Sequence, residues 1–333
     1  MSSGCRIWTT TPISRARIDG DVLTAVGNIM EGSFQRRFFM PDRIVRAMDP
    51  EGRVRILAAC TTDTVERCRL LHDMNPTPCA ALGRLLTGAA LMSCTLKNPA
   101  DTLTLQIRCD GPIGGMVAVA DAEAAVRGYA CRSDFDLPLN GHGKFDVAGA
   151  VGNGTLHVMK DLGMKDPYIG SVDLLSGEIA EDLTWYYASS EQTPAVMILG
   201  VLIGPEGRVL QAGGLFIQLM PEVGESLVEP LEAIIAGLPA MTAMLAQGLS
   251  PKDIILNQFG ELHAGILDTR PVTYRCNCSL ERMERNLVSL GRKELAELAE
   301  DPAGIELQCH FCSRKYSFSI ESVKALMEAA KQP

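Results

Sequence analysis

Residues 101–130 read DTLTLQIRCDGPIGGMVAVADAEAAVRGYA, and the punctuation of this stretch decides the fold. Three short runs, 103–107, 115–119 and 125–130, carry alternating apolar residues and are separated by clusters of Asp, Gly and Pro. Such tight connections predict antiparallel strands. The pattern continues through 145–148, 156–159 and 168–174. A helix is predicted over about 178–190, followed by strands 195–202 and 209–219 around the turn Gly204-Pro205-Glu206-Gly207.

On the N-terminal side, 44–47 and 53–57 read as strands joined by Asp49-Pro50-Glu51-Gly52. Helices are predicted over 63–74 and 77–96, the second with Leu82, Leu85, Leu86, Ala89 and Met92 at helical spacing. Gly83 and Gly88 lower its propensity, which predicts close packing against a neighbour. Strands and helices are segregated along the chain, not strictly alternating. The expected class is therefore α+β, with an antiparallel-rich sheet core at 41–220 and packed helices.

Residues 221–270 change character. The stretch reads as helix-rich, holds seven acids against two bases, and is broken at Gly237-Leu238-Pro239 and Gly248-Leu249-Ser250-Pro251. A connector would be polar, whereas this segment carries Leu227, Leu231, Ile234, Ile235, Leu238, Met241, Met244 and Leu245. Those apolar faces need a cover, and the sheet core and the C-terminal tail are the available ones.

The tail, 271–333, holds Cys276-Asn277-Cys278, then 30 residues, then Cys309-His310-Phe311-Cys312. Two close thiolate pairs can wrap one tetrahedral Zn²⁺ as a Cys₄ site. Two short helices, 280–290 and 293–300, interrupted at Gly291, allow the chain to fold back and bring the pairs together, and a helix over about 319–330 closes the unit. The expected architecture thus ends in a small Cys₄ zinc domain. His310 reads as a bystander, because four sulfurs already fill the tetrahedron. Arg275, Arg282, Arg314 and Lys315 lie near the thiols in sequence and would favour thiolate. Once the metal is lost, neighbouring thiols can close a strained, labile disulfide. The other seven of the 11 cysteines are spread singly and read as small buried hydrophobes.

Composition narrows the class further. The 333 residues carry 40 acids against 31 Lys+Arg, a net charge of −9, and 47% hydrophobic residues. This is too apolar for a disordered chain, and the acidic balance argues against broad nucleic-acid binding. The tail itself is balanced, nine bases against nine acids. The longest uncharged run, 233–251, is interrupted by Gly and Pro, so no membrane span is expected. No secretory signal is read at the start, and the expected compartment is the cytoplasm. Residues 1–40 read as an N-terminal extension of unassigned role. An organellar presequence is weighed against an ordered extension or an upstream start, with Met30 or Met40 as later candidates; Asp19, Asp21 and Glu31 favour the latter.

No catalytic constellation is found. The Gly149–Gly154 run precedes a strand-like segment, Gly141-His142-Gly143-Lys144 lacks P-loop spacing, and His72, His142, His157 and His263 have no paired carboxylate motif. The chain is not expected to be an enzyme.

The tail motif Cys276-x-Cys278-Ser279-x-Glu281-Arg282, with Leu290-Gly291, Glu294-Leu295 and Cys309-x-Phe311-Cys312, resembles the redox switch of the heat-shock protein 33 family, the 33 kDa chaperonins. The likeness runs upstream through Leu82-Gly83-Arg84-Leu85-Leu86, Gly111-Pro112-Ile113-Gly114, Arg127-Gly128-Tyr129, Lys160-Asp161-Leu162-Gly163, Ser190-Glu191-Gln192 and Ala212-Gly213-Gly214, and covers about residue 41 to the C-terminus. The resemblance implies an ATP-independent holdase, quiescent when its four cysteines bind one zinc per chain in the reduced state. It implies oxidation to Cys276–Cys278 and Cys309–Cys312 disulfides, zinc release, and unfolding of the tail and the middle segment. Unfolded proteins are the implied partners, with no nucleic acid and no membrane, and a homodimer formed on oxidation is a candidate assembly. Leu227, Leu231, Ile234, Ile235, Met241 and Met244 are the client-binding candidates. Two rivals are a thiol-disulfide oxidoreductase using Cys309-x-x-Cys312, for which Cys276-x-Cys278 would be surplus, and a zinc-ribbon nucleic-acid binder.

Overall fold

In the computed structural model, residues 40–220, 227–300 and 305–329 are described. The N-terminal extension, apart from Met40, lies outside the described residues, as do the first six residues of the middle segment and the end of the tail.

The chain opens on the hairpin β1 (Arg43–Met48) and β2 (Val54–Cys60). Asp49 closes its turn, its carboxylate accepting the Arg53 and Val54 N–H groups at 2.5 and 2.7 Å. Helices α1 (Thr62–His72) and α2 (Pro76–Ser93) follow. Proline at the first position of α2 fits a place where no N–H is needed. Next come β3 (Thr102–Cys109), β4 (Met116–Asp121), β5 (Ala125–Ala130), the short helix α3 (Val147–Val151), β6 (Gly154–Asp161), β7 (Tyr168–Asp173), helix α4 (Ala180–Ser189), β8 (Ala195–Ile203) and β9 (Val209–Leu219).

The expected strand at 145–148 is instead the start of α3. Asp146 caps it, accepting the Gly149 N–H at 2.9 Å, and this local bond turns the chain into a helix before alternation can matter.

Among the described residues, the middle segment forms α5 (Val228–Ala236), α6 (Met241–Ala246) and α7 (Pro251–Gln258), divided where Gly and Pro were read as breaks. It does not stay helical. Residues Gly265–Pro271 form β10, which pairs antiparallel with β1, and Thr273–Tyr274 form β11. The tail then holds α8 (Leu280–Ser289), α9 (Arg292–Leu298), β12 (Ile305–Gln308), β13 (Lys315–Phe318) and α10 (Ile320–Ala329). The hairpin β12–β13 has no counterpart in the sequence reading. Among the described residues no helix is long and apolar enough to cross a membrane, and the uncharged run 233–251 is shared among α5, α6 and α7.

Two sheets form the frame, with orders β10-β1-β2-β9-β8 and β11-β5-β4-β3-β6-β7; β12 and β13 make a third, two-stranded sheet. Every strand pair is antiparallel except β11 with β5. Helix α2 is buried along almost its whole length and packs against strands of both large sheets. A side chain at Gly83 would meet Val65 and one at Gly88 would meet Leu183, so both glycines are there for close approach.

Alternation along β1 and β2 divides their side chains between two cores, as a period of two requires. Ile44, Leu57 and Ala59 face the core around α2, while Val45, Ala47, Val54, Ile56 and Ala58 face the opposite side. There they meet Leu231, Met241, Met244, Leu245, Ile254, Ile255 and Phe259 of the middle segment. The cover of the middle segment is thus the five-stranded sheet. The tail has its own small core of Leu287, Leu295, Phe318 and Val323.

Candidate metal centre

Each half of the tail delivers two thiols. Cys276 and Cys278 follow β11, in the extended chain that leads into α8, and Ser279 caps that helix by accepting the Arg282 N–H at 3.3 Å. Cys309 and Cys312 lie in the turn between β12 and β13. That turn is tight: Cys309 N–H donates to the Arg314 carbonyl at 2.9 Å, Ser313 N–H donates to the Cys309 carbonyl at 2.8 Å, and Ser313 adopts a left-handed φ of +57°.

The four Sγ atoms lie within 4.8 Å of one another, with Cys276···Cys309 at 3.7 Å and Cys278···Cys312 at 3.4 Å. Tetrahedral zinc with Zn–S bonds near ~2.3 Å spaces its sulfurs about 3.8 Å apart. The cage therefore has the size and donor set for one zinc ion. Both of these approaches run between the motifs, not within either one. His310 is not in the cage; its ring stacks on Tyr129 at 5.3 Å.

Without a metal, the thiols differ in acidity. Burial works to raise Cys278, but hydrogen bonds, first from Tyr316 and then from the other three cysteines, bring it down to about 7. The Tyr316 hydroxyl donates to Cys278 Sγ at 3.1 Å. Burial and the neighbouring thiols push Cys276 and Cys312 up. Of the four cationic neighbours read from the sequence, three are engaged elsewhere. Arg275 pairs with Asp121 and Glu123 at 2.7 and 3.1 Å, Lys315 pairs with Glu306 at 2.7 Å, and Arg282 donates to the Asn277 carbonyl at 3.1 Å. Arg314 hydrogen-bonds Tyr316 and also acts by charge on Cys278 and Cys312 directly, as the sequence reading expected.

The Cys309–Cys312 turn also touches the sheet core. The Phe311 carbonyl lies 3.2 Å from His72 Nε2 and accepts from the Tyr274 hydroxyl. Burial lowers the His72 pKa, which favours the neutral ring. The Arg127 guanidinium sits 5.2 Å from the Phe311 ring centre, and Tyr129 meets that ring edge-on at 5.4 Å. Tyr316, Tyr274, His72, Arg127 and Tyr129 carry these contacts and had no assigned role in the sequence reading. The available signals were Tyr274, two residues before the first ligand thiol, and the Arg127-Gly128-Tyr129 motif. A Cys-x-x-Cys pair in a strand-to-strand turn also differs from one opening a helix after a strand, as in thioredoxin-like units.

The client-binding candidates lie apart from the cage. Leu231, Met241 and Met244 are buried against the five-stranded sheet, and Leu227, Ile234 and Ile235 are half-buried there. Of the lone cysteines, Cys60, Cys68, Cys79 and Cys94 are buried, Cys109 is half-buried and Cys131 is exposed; Cys5 lies outside the described residues.

A family model described as Hsp33 protein matches residues 42–319. The 33 kDa chaperonin of Acetivibrio thermocellus is 48% identical over 289 residues, 87% of this chain and 98% of that protein. That of Lachnoclostridium phytofermentans is 45% identical over 288 residues, 86% of this chain and 99% of that protein. Among solved structures, the 33 kDa chaperonin (heat shock protein 33 homolog) of Thermotoga maritima aligns with a TM-score of 0.79 at 35% identity, covering 87% of this chain and 99% of that one.

Proposed function

Because the chain belongs to the Hsp33 family, we propose that it is a redox-regulated chaperone that binds unfolded polypeptides without ATP and keeps them from aggregating. The observation that carries the reading is a four-thiol cage in a tail whose own buried core, among the described residues, is four side chains. Cys276, Cys278, Cys309 and Cys312 would hold one zinc ion per chain in the reduced state. Bound there, zinc supplies a cross-link between the two halves of the tail and apparent folding energy on the order of 10 kcal/mol.

On oxidation, Cys276 joins Cys278 and Cys309 joins Cys312. Each pair of zinc-bound thiolates gives up two electrons to one peroxide molecule, which takes two protons from solvent and leaves as two waters. The four sulfurs then no longer bind the ion, and it is released. Pairing within each motif is favoured once the tail loosens, because closing a loop of one or two residues costs far less entropy than closing one of more than 30. The tail unfolds, and β11, the two-residue strand that leads into it, loses its anchor. The short helices α5 and α6 then open, presenting Leu227, Leu231, Ile234, Ile235, Met241 and Met244 to clients. Exposed apolar area of this kind binds other unfolded chains. The proposed compartment is the cytoplasm, where thiols are kept reduced until oxidant arrives.

Light scattering of a thermally unfolding client tests the reading. The peroxide-treated chain should suppress aggregation and the reduced, zinc-loaded chain should not. Equal behaviour in both states overturns redox control. Faster insulin reduction in the presence of the chain would favour the oxidoreductase reading instead.

A further inference from the structure

The tail covers one strand of the six-stranded sheet, and it does so along both the edge and a face. The edge is β5. Among the described residues, only the two of β11 pair beyond it, in parallel register Thr273↔Ala125 and Tyr274↔Val126. The outward peptide groups of β5 belong to Val126 and Gly128. The Val126 carbonyl accepts the Arg275 N–H at 2.9 Å, and the Tyr274 hydroxyl lies 2.9 Å from the Gly128 carbonyl and 3.3 Å from its N–H. The Tyr274 hydroxyl oxygen thus accepts the Gly128 N–H where the backbone of β11 has ended, and its single proton is shared between the Gly128 and Phe311 carbonyls. On the outward face of the same strand, Phe311 and His310 lie against Arg127 and Tyr129.

A two-residue strand is marginal by itself. Thr273 and Tyr274 hold their place because Tyr274 also bonds the Phe311 carbonyl, between two of the cage cysteines. When the cage opens, that tie is lost and the β5 edge loses its strand partner, with the Cys68 thiol of α1 remaining 3.9 Å from the Gly128 carbonyl. Unpaired N–H and C=O groups in a row are a template for another strand.

We propose that β5 is a second docking site for unfolded polypeptide: an extended, aromatic-bearing segment adds to the Val126–Gly128 edge and lays its ring on Arg127 and Tyr129, in the place Tyr274 and Phe311 now occupy. The inference rests on the chaperone reading and deepens it. The client class follows from the present occupant, which is extended backbone plus an aromatic ring. Main-chain pairing recognises any sequence that can extend, which suits a protein that must hold many clients.

Residue-resolved amide exchange on the full-length chain tests this, with a carboxymethylated, permanently unfolded protein as the probe. In the reduced, zinc-loaded chain the Gly128 amide should be protected. After peroxide treatment and zinc removal it should exchange about tenfold or more faster, and it should slow again by a similar factor when the probe is added. Gly128 itself cannot be substituted, because a Cβ there would lie 2.6 Å from the Val117 carbonyl. Tyr129→Ala is therefore the variant: oxidised, it should bind the probe several-fold more weakly, while Tyr129→Phe keeps the ring and the affinity, and both bind zinc normally when reduced. Probe binding that slows exchange only within 228–246 overturns this inference and leaves the chaperone reading intact. An oxidised chain that binds no probe at all overturns both.

Discussion

A buried thiol ionises only where something stabilises its anion, and Cys94 and Cys278 illustrate the two cases. Cys94 lies in the core with its thiol donating to the Ala90 carbonyl at 3.7 Å, and burial pushes it up to about 11. Such a thiol is inert. Cys278, with Tyr316 donating to its sulfur, comes down to about 7. Cys309 is one of the four thiols of the cage and Cys94 is not, so Cys309→Ser should cost the chain its zinc by metal analysis of the reduced protein, and Cys94→Ser should not. Full zinc retention in Cys309→Ser removes the ligand assignment. Asp42 is the other residue with a testable ionisation. Its carboxylate accepts the Thr64 and Asp63 N–H groups at 2.6 and 3.2 Å, at the start of α1. Burial outweighs those bonds and raises its pKa from 3.8 to about 6. The folded state holds this proton more tightly than the unfolded state does. Its contribution is fully present below about pH 4 and is lost as the pH rises to about 6, at most about 3 kcal/mol. Urea midpoints between pH 4 and 7 should fall along this window in the parent chain and flatten in Asp42→Asn. An unchanged slope in the variant would assign the dependence elsewhere.

At the scale of elements, α6 is the informative helix. Six residues cannot hold a helix in water without tertiary support. Its support is a seat of glycines: Gly200 and Gly213 face each other across β8 and β9, and a Cβ at Gly213 would meet Leu245 while one at Gly200 would meet Thr242. Met241, Met244 and Leu245 fill that seat and are almost fully buried. Met244→Ala should cost about 2–5 kcal/mol of packing, which is large for so short an element. The expected result is faster amide exchange over 241–246 and stronger binding of a hydrophobic dye in the reduced chain, with the sheets still protected. Unchanged exchange at 241–246 together with a lower global midpoint would make α6 part of the cooperative core.

At the scale of the whole molecule, the three cores differ greatly in size. The one around α2 has tens of buried side chains, the one beneath the middle segment is smaller, and the tail has four. We propose that 41–220, 221–270 and 271–333 behave as units of correspondingly different stability. Chelation of the reduced chain should unfold 271–333 and leave 41–220 cooperative. Amide exchange by segment would show the tail losing protection first. Equal protection of both regions after complete zinc removal would contradict the proposal.

Much of this was legible because it is written at short range. Alternation marked β1–β9 apart from their ends, helical spacing marked α2, and Gly-Pro breaks divided α5, α6 and α7 where they stand. The spacing of Cys276, Cys278, Cys309 and Cys312 was enough to propose a cage, since a metal ligand declares itself by its side chain. Other features depend on partners far along the chain. β10 is a strand because it pairs with β1, some 220 residues before it. Tyr316 supports a thiol 38 residues away. Tyr274 covers a glycine at a separation of 146 residues. Periodicity and motif spacing carry information only over a few turns of chain. Which strand the tail would cover, and which face the middle segment would rest on, were decided by packing between residues that no local pattern connects.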